Sequence, residues 1–135
     1  MNGFKENIIM TTEKTGTKKL EDRNEKPIRV LAFLEAKKGH GKNLMDVVLE
    51  VVEPTRKEEG NLSYIPHYAV DNPDRILFDE LWASQEDLDN HFKQPYMKEL
   101  FPKMDPFLSR PVLLEKYLEV PVNKSTEGKE TVSDA

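Results

Sequence analysis

The chain has 135 residues, no cysteine, and 25 acidic against 20 basic side chains. That length fits one domain with a core of its own, and the lack of thiols excludes a disulfide scaffold, a Cys-ligated zinc site and a thiol nucleophile. The mild acidity disfavours a general nucleic-acid surface, no apolar run reaches the ~18–20 residues of a membrane span, and Ile8–Met10 is too short an apolar core for a secretory signal, so a cytoplasmic protein with no membrane partner is expected.

Residues 1–26 are rich in Lys, Glu, Thr and Asn, with Leu20 as the single large apolar residue after Met10. Such a segment buries too little surface to offset its ordering entropy and is expected to be a disordered tail. Residues 121–135 read the same way, leaving a folded unit of 27–120. Ile28–Ala36 reads as a strand with Ile28, Val30, Ala32 and Leu34 on one face and Leu31 and Phe33 on the other. Both faces are apolar, which points to a sheet covered on both sides. Lys37–Gly41 is a turn in which glycines supply unusual backbone angles.

Leu44, Val47, Val48, Val51 and Val52 follow helical spacing, so a helix is expected over Asn43–Glu59. Pro54 should kink it, and Gly60 is placed as a left-handed C-cap. Leu62–Val70 is a second strand that Pro66 confines to an edge or a bulge. Asp71–Asp74 is a turn leading to a third strand, Arg75–Trp82, with Ile76, Phe78, Glu80 and Trp82 on one face and Leu77, Asp79 and Leu81 on the other. Ser84 with an acid three residues on, Asp87, approximates a capping box. The helix it opens runs to about Lys93 and sets Leu88, His91 and Phe92 on one face. After Gln94-Pro95, the spacing of Tyr96, Met97, Leu100, Phe101 and Met104 predicts a second short helix bent by Pro102. Val112–Val120 is the last strand.

The order β–α–β–β–α(α)–β predicts an α+β ferredoxin-like sandwich with a four-stranded antiparallel sheet and helices on one face. The other face is apolar too, and an uncovered apolar face of that extent is unusual on a monomer. A homodimer with sheets packed face to face is therefore expected.

The chain contains no P-loop, GxGxxG, GxSxG or HExxH pattern. Its three histidines, His40, His67 and His91, fall in a turn, a strand and a helix, which does not predict a metal site. His91 leans back over the strand end near Trp82. It is either a base near neutral pH or a cap on its own helix against Asp87. Glu80, between Phe78 and Trp82, is either a buried carboxyl with a raised pKa or one half of an ion pair. Trp82, Tyr64, Tyr68 and Phe78 are core aromatics or the walls of a flat pocket for an aromatic ring, where Tyr and Trp keep a polar handle. The Arg56-Lys57-Glu58-Glu59 run reads as a solvated helix end.

Several pieces in order carry a resemblance: Pro54-Thr-Arg-Lys-Glu-Glu-Gly60, Tyr64, Asp71-Asn-Pro73, Phe78-x-Glu80-x-Trp82-x-Ser84, and Leu88-x-x-His91-x-x-x-Pro95-Tyr96. Together they cover nearly all of 27–120 and resemble the antibiotic biosynthesis monooxygenase domain, above all its small bacterial quinol-monooxygenase members. The resemblance implies a dimeric α+β barrel with a pocket between sheet and helices in each protomer. It also implies oxidation of a small phenol or quinol by O2 without flavin, metal or haem. Haem-degrading relatives use an Asn on the first strand, and Ile28–Ala36 has none. On the matching positions His91 would be the base or hydrogen-bond partner, Trp82, Tyr64 and Phe78 would line the ring site, and Glu80 would orient or polarise the substrate. The choice of the Phe78/Glu80/Trp82 face as the helix-covered one rests on this resemblance. Two other functions fit the same residues: an isomerase or lyase acting on a small hydroxy-keto metabolite, with His91 and Glu80 as proton shuttles, and a dimeric binding module with no catalysis.

Overall fold

Ile28 lies opposite Trp82 on one side and Leu118 on the other, and that pairing places the first long strand at the centre of a sheet. The computed structural model describes residues 8–10 and 26–122. Its strands are β1 (Ile8–Met10), β2 (Ile28–Glu35), β3 (Asn61–Ala69), β4 (Asn72–Trp82) and β5 (Val112–Leu118), and its helices are α1 (Gly41–Leu49), α2 (Val52–Arg56), α3 (Gln85–Phe92) and α4 (Pro95–Met104). The strand order is β1-β5-β2-β4-β3.

β3 and β2 both run antiparallel to β4, so they are parallel to each other, and the α1–α2 connection must cross over β4. β4 and β5 stand in the same relation to β2, and α3–α4 crosses over it. These two split β-α-β units are the expected ferredoxin-like arrangement. One element was not expected. Ile8–Met10, inside the segment read as a structureless tail, pairs parallel with Val112–Leu114 at the sheet edge. The rest of the predicted tails, 1–7, 11–25 and 123–135, lies outside the described residues.

The helices cover the face of Val30, Ala32, Leu34, Tyr64, Ile76, Phe78, Glu80, Trp82, Val112 and Leu114, all buried. Leu44, Val48, Leu88, Leu100 and Phe101 pack onto it from the helices. The face chosen from the resemblance is thus the covered one. The opposite face keeps Phe33 and Ile65 about 40% exposed, at 37% and 43%, with Leu31, Leu77, Leu81 and Leu113 half-buried beside them. One polar feature of that face is an ion pair, Arg29 Nη1 to Asp79 Oδ1, at 2.8 Å.

Three local expectations are corrected. The first helix does not continue to Glu59 with a kink at Pro54. It ends at Leu49, and a separate turn of helix starts at Val52. Pro54 has no N–H for the carbonyl of Glu50 and its ring clashes there, so the break falls one turn before the proline, which then sits in the first turn of α2, where a missing donor costs little. Gly60 is not a left-handed cap, because among the described residues Gly39 is the glycine with positive φ, at 85°. Gly60 is buried against Asp87, where any Cβ would overlap the Cβ and Cγ of that residue. Finally, β4 already begins at Asn72 inside the predicted turn. There the Asp74 carboxylate accepts from the N–H groups of Gly39 and Gly41 at 2.9 and 2.8 Å, tying the hairpin to the start of α1.

Candidate active site

Three elements bring the candidate residues together. β4 alternates, so Phe78, Glu80 and Trp82 all point toward the helices. β3 pairs Tyr64 with Glu80, and an extra residue at Leu62 is absorbed between the pairs Asn61–Trp82 and Ser63–Leu81. That bulge turns Leu62 outward, 53% exposed. α3 is started by Ser84, whose hydroxyl accepts from Asp87 N–H at 3.1 Å and donates to the Asp87 carboxylate at 2.8 Å. With its start fixed there, α3 lays Leu88 and His91 onto the sheet.

His91 is 1% exposed. Its ring lies 4.7 Å from that of Trp82 and 5.6 Å from that of Tyr64, while Tyr64 lies 4.9 Å from Phe78. Asp87 is committed to Ser84, so His91 does not cap its own helix against it. Instead His91 Nδ1 is hydrogen-bonded to Glu58 Oε2 at 2.8 Å, and the Tyr96 hydroxyl donates to the same oxygen. The Glu58 side chain is only 12% exposed, which corrects its reading as part of a solvated helix end. Sequence offered no signal for this: Glu58 lies between two other charged residues, and its direction depends on where α2 stops. Arg56, two residues earlier, donates to the Tyr64 carbonyl through Nε and Nη2 at 3.1 and 2.9 Å, which fastens this corner to β3.

Glu80 is 4% exposed and has no cationic partner among the described residues; the Trp82 indole donates to its Oε1 at 2.9 Å. Burial raises its pKa from 4.5 to about 8, the nearby charges of Asp79 and Glu58 add to the rise, and the indole hydrogen bond partly offsets it. At neutral pH Glu80 is therefore mainly a neutral acid, able to donate a hydrogen bond. Burial holds the Tyr64 phenol well above its ordinary value, helped by the charge of Glu80. The Tyr96 phenol is also raised, by burial and then by its hydrogen bond to Glu58. The Thr55 hydroxyl, fully buried, lies close enough to temper both phenols but makes no hydrogen bond of good geometry.

Tyr64, Phe78, Glu80 and His91 line a cavity of ≈ 40 Å³ between sheet and helices. The rest of its wall is aliphatic, aromatic or thioether, including Val48, Leu100, Met97 and Met104, with no Lys or Arg. It has room for about three waters and is well below the ~150 Å³ that accommodates a benzene ring. Two expected wall residues are elsewhere. Trp82 is fully buried behind the lining and acts as the partner of Glu80. Tyr68 is 47% exposed beyond the cover of the helices. Among the described residues no three His, Asp or Glu side chains are grouped to hold a metal ion. His40 stacks on Phe107 and His67 is exposed on the edge strand.

Fold and site together define an α+β domain whose sheet and helices enclose a small, mostly apolar chamber with a carboxyl and an imidazole in its wall. The family model of antibiotic biosynthesis monooxygenases matches residues 27–103, and the chain belongs to that family. It is 29% identical over 91 residues to an uncharacterized protein of Synechocystis sp.. That alignment covers 67% of this chain, and the chain spans 62% of the length of the curated relative it matches. A conserved protein of Methanosarcina mazei Go1 superposes with TM-score 0.67 at 27% identity, over 75% of this chain and 100% of its own. A Caulobacter crescentus CB15 protein described as a candidate antibiotic biosynthesis monooxygenase superposes with TM-score 0.67 at 22% identity, over 72% of this chain and 92% of its own, which is a likeness of fold.

Proposed function

We propose that the chamber is the site of a cofactor-independent monooxygenase that oxidises a small phenol or quinol with O2. The observation that carries this reading is the lining itself: an apolar enclosure with no cation, in which His91 and a neutral Glu80 are the polar groups beside Tyr64. His91 takes the phenolic proton. The anion left in a dry, apolar space is electron-rich and poorly solvated, and it passes one electron to O2. The phenoxyl radical and superoxide then join at a ring carbon as a peroxide. Loss of water from that peroxide leaves a quinone, so both electron pairs come from the substrate and one oxygen atom enters it. Glu80 donates to an oxygen of the substrate and orients it. An aromatic ring needs more room than the resting cavity has, and the flexible Met97 and Met104 side chains are the adaptable part of the wall.

The apolar wall, with no Arg or Lys beside Glu80, speaks against the alternative of an isomerase or lyase acting on a small hydroxy-keto metabolite. The dimer belongs to the same proposal: a second copy packed on the open face would cover Phe33, Ile65 and their half-buried neighbours. An oxygen electrode with a panel of reduced quinones and polyphenols tests the activity. Uptake above the blank is expected, falling about 10²-fold or more in His91→Ala, as for loss of a general base. No uptake with any substrate, or full activity in the variant, would sink the reading. Ligand binding without uptake would instead favour a non-catalytic module.

A further inference from the structure

The part of the site with no counterpart in the sequence reading is the carboxylate behind His91. We propose that Glu58 is the positioning residue of this site: it accepts the Nδ1 proton of His91 and so leaves Nε2 as the bare, proton-accepting nitrogen. The catalytic consequence rests on the reading of His91 as the base; the assignment of the proton does not.

The geometry leaves little choice. An ionised carboxylate only accepts hydrogen bonds, and Glu58 Oε2 lies 2.8 Å from His91 Nδ1. The Tyr96 hydroxyl donates to that same oxygen, so both groups meeting there are donors. His91 must then carry its hydrogen on Nδ1, because a neutral imidazole has one N–H and one lone pair. Nε2 has no hydrogen-bond partner among the described residues, and His91 belongs to the cavity wall.

Glu58 is itself held. Its N–H bonds to the Thr55 carbonyl at 2.9 Å and its carbonyl takes Asn61 N–H at 3.0 Å, while Arg56 clamps the same corner to β3. When Nε2 takes a proton from a substrate hydroxyl, the imidazolium that forms finds its counter-charge already in place. A buried acid behind a base works this way by orientation and charge, without accepting the proton itself.

The test is the ¹⁵N spectrum of His91 in the labelled full chain at pH 8. Wild type is expected to show a protonated Nδ1 and a bare Nε2. Glu58→Ala should lose that preference, and Tyr96→Phe should keep it. A wild-type spectrum with the proton on Nε2, or on both nitrogens, overturns the proposal even if Glu58→Ala does not fold. So does an unchanged tautomer in a folded Glu58→Ala. With a turned-over substrate, Glu58→Ala should lower kcat about 10- to 100-fold, by analogy with loss of the partner that orients a metal-bound histidine. KM should stay within about twofold, and adding Glu58→Ala to His91→Ala should cost little more, as for residues acting as a unit. Independent, additive losses would overturn it. If no substrate is oxidised, the oxygenase reading fails while the spectrum still decides the role of Glu58.

Discussion

Glu80 shows how one buried carboxyl shapes both stability and chemistry. Its pKa rises from 4.5 to about 8 on burial. Between those values the folded chain holds a proton that the unfolded chain has released, so stability falls as pH rises through this window and levels off above about 8. Glu80→Gln keeps the shape and can still accept from the Trp82 indole. We expect it to match wild type near pH 4.5 and to exceed it above pH 8 by on the order of 5 kcal/mol, at 1.36 kcal/mol per pKa unit. Urea unfolding at several pH values measures this; parallel curves for the two proteins would refute it. Residue identity at 78, 80 and 82 and their shared face were readable from alternation alone. That Trp82 would serve Glu80 from behind the wall, while Tyr68 would stay outside, was not, because both depend on how far the helices extend over the sheet.

The elements differ in how much of themselves was local. The start of α3 was legible because a capping box closes within four residues, Ser84 to Asp87, and needs no distant partner. The break between α1 and α2 was half-legible. Pro54 announced a defect, but its place follows from the carbonyl one turn earlier. Gly60 was misjudged for a clear reason: it looked like a helix cap by position, whereas the constraint on it comes from Asp87, which the fold brings against it. Gly60→Ala should therefore push Asp87 off Ser84 and destabilise the domain by about 1–3 kcal/mol, the usual cost of overpacking. At a position with free left-handed geometry, the same change would act through backbone strain alone. A chemical-denaturation midpoint unchanged from wild type would contradict the packing account.

For the whole molecule the open sheet face is the strongest remaining constraint. Phe33 on β2 and Leu77 on β4 are register partners, and Ile65 on β3 lies on the same face, so a charge at Leu77 would sit inside any sheet-to-sheet contact. Light scattering on wild type should give about twice the 15.6 kDa chain mass. Leu77→Glu should shift it toward one chain mass, because an unpaired buried charge is costly. A wild-type monomer at micromolar concentration would refute the dimer.

Sequence alone determined the succession of strands and helices, the two apolar faces of the sheet and the cap of α3. Each of these is written in spacing of 2 or 3.6 residues or in contacts a few residues apart. Only the tertiary structure decided that Glu58, read as a solvated helix end, stands behind His91, and that Ile8–Met10 extends the sheet beside β5. Those pairings join residues tens to about a hundred positions apart. No local periodicity records them, because they exist only once the crossovers have brought the segments together.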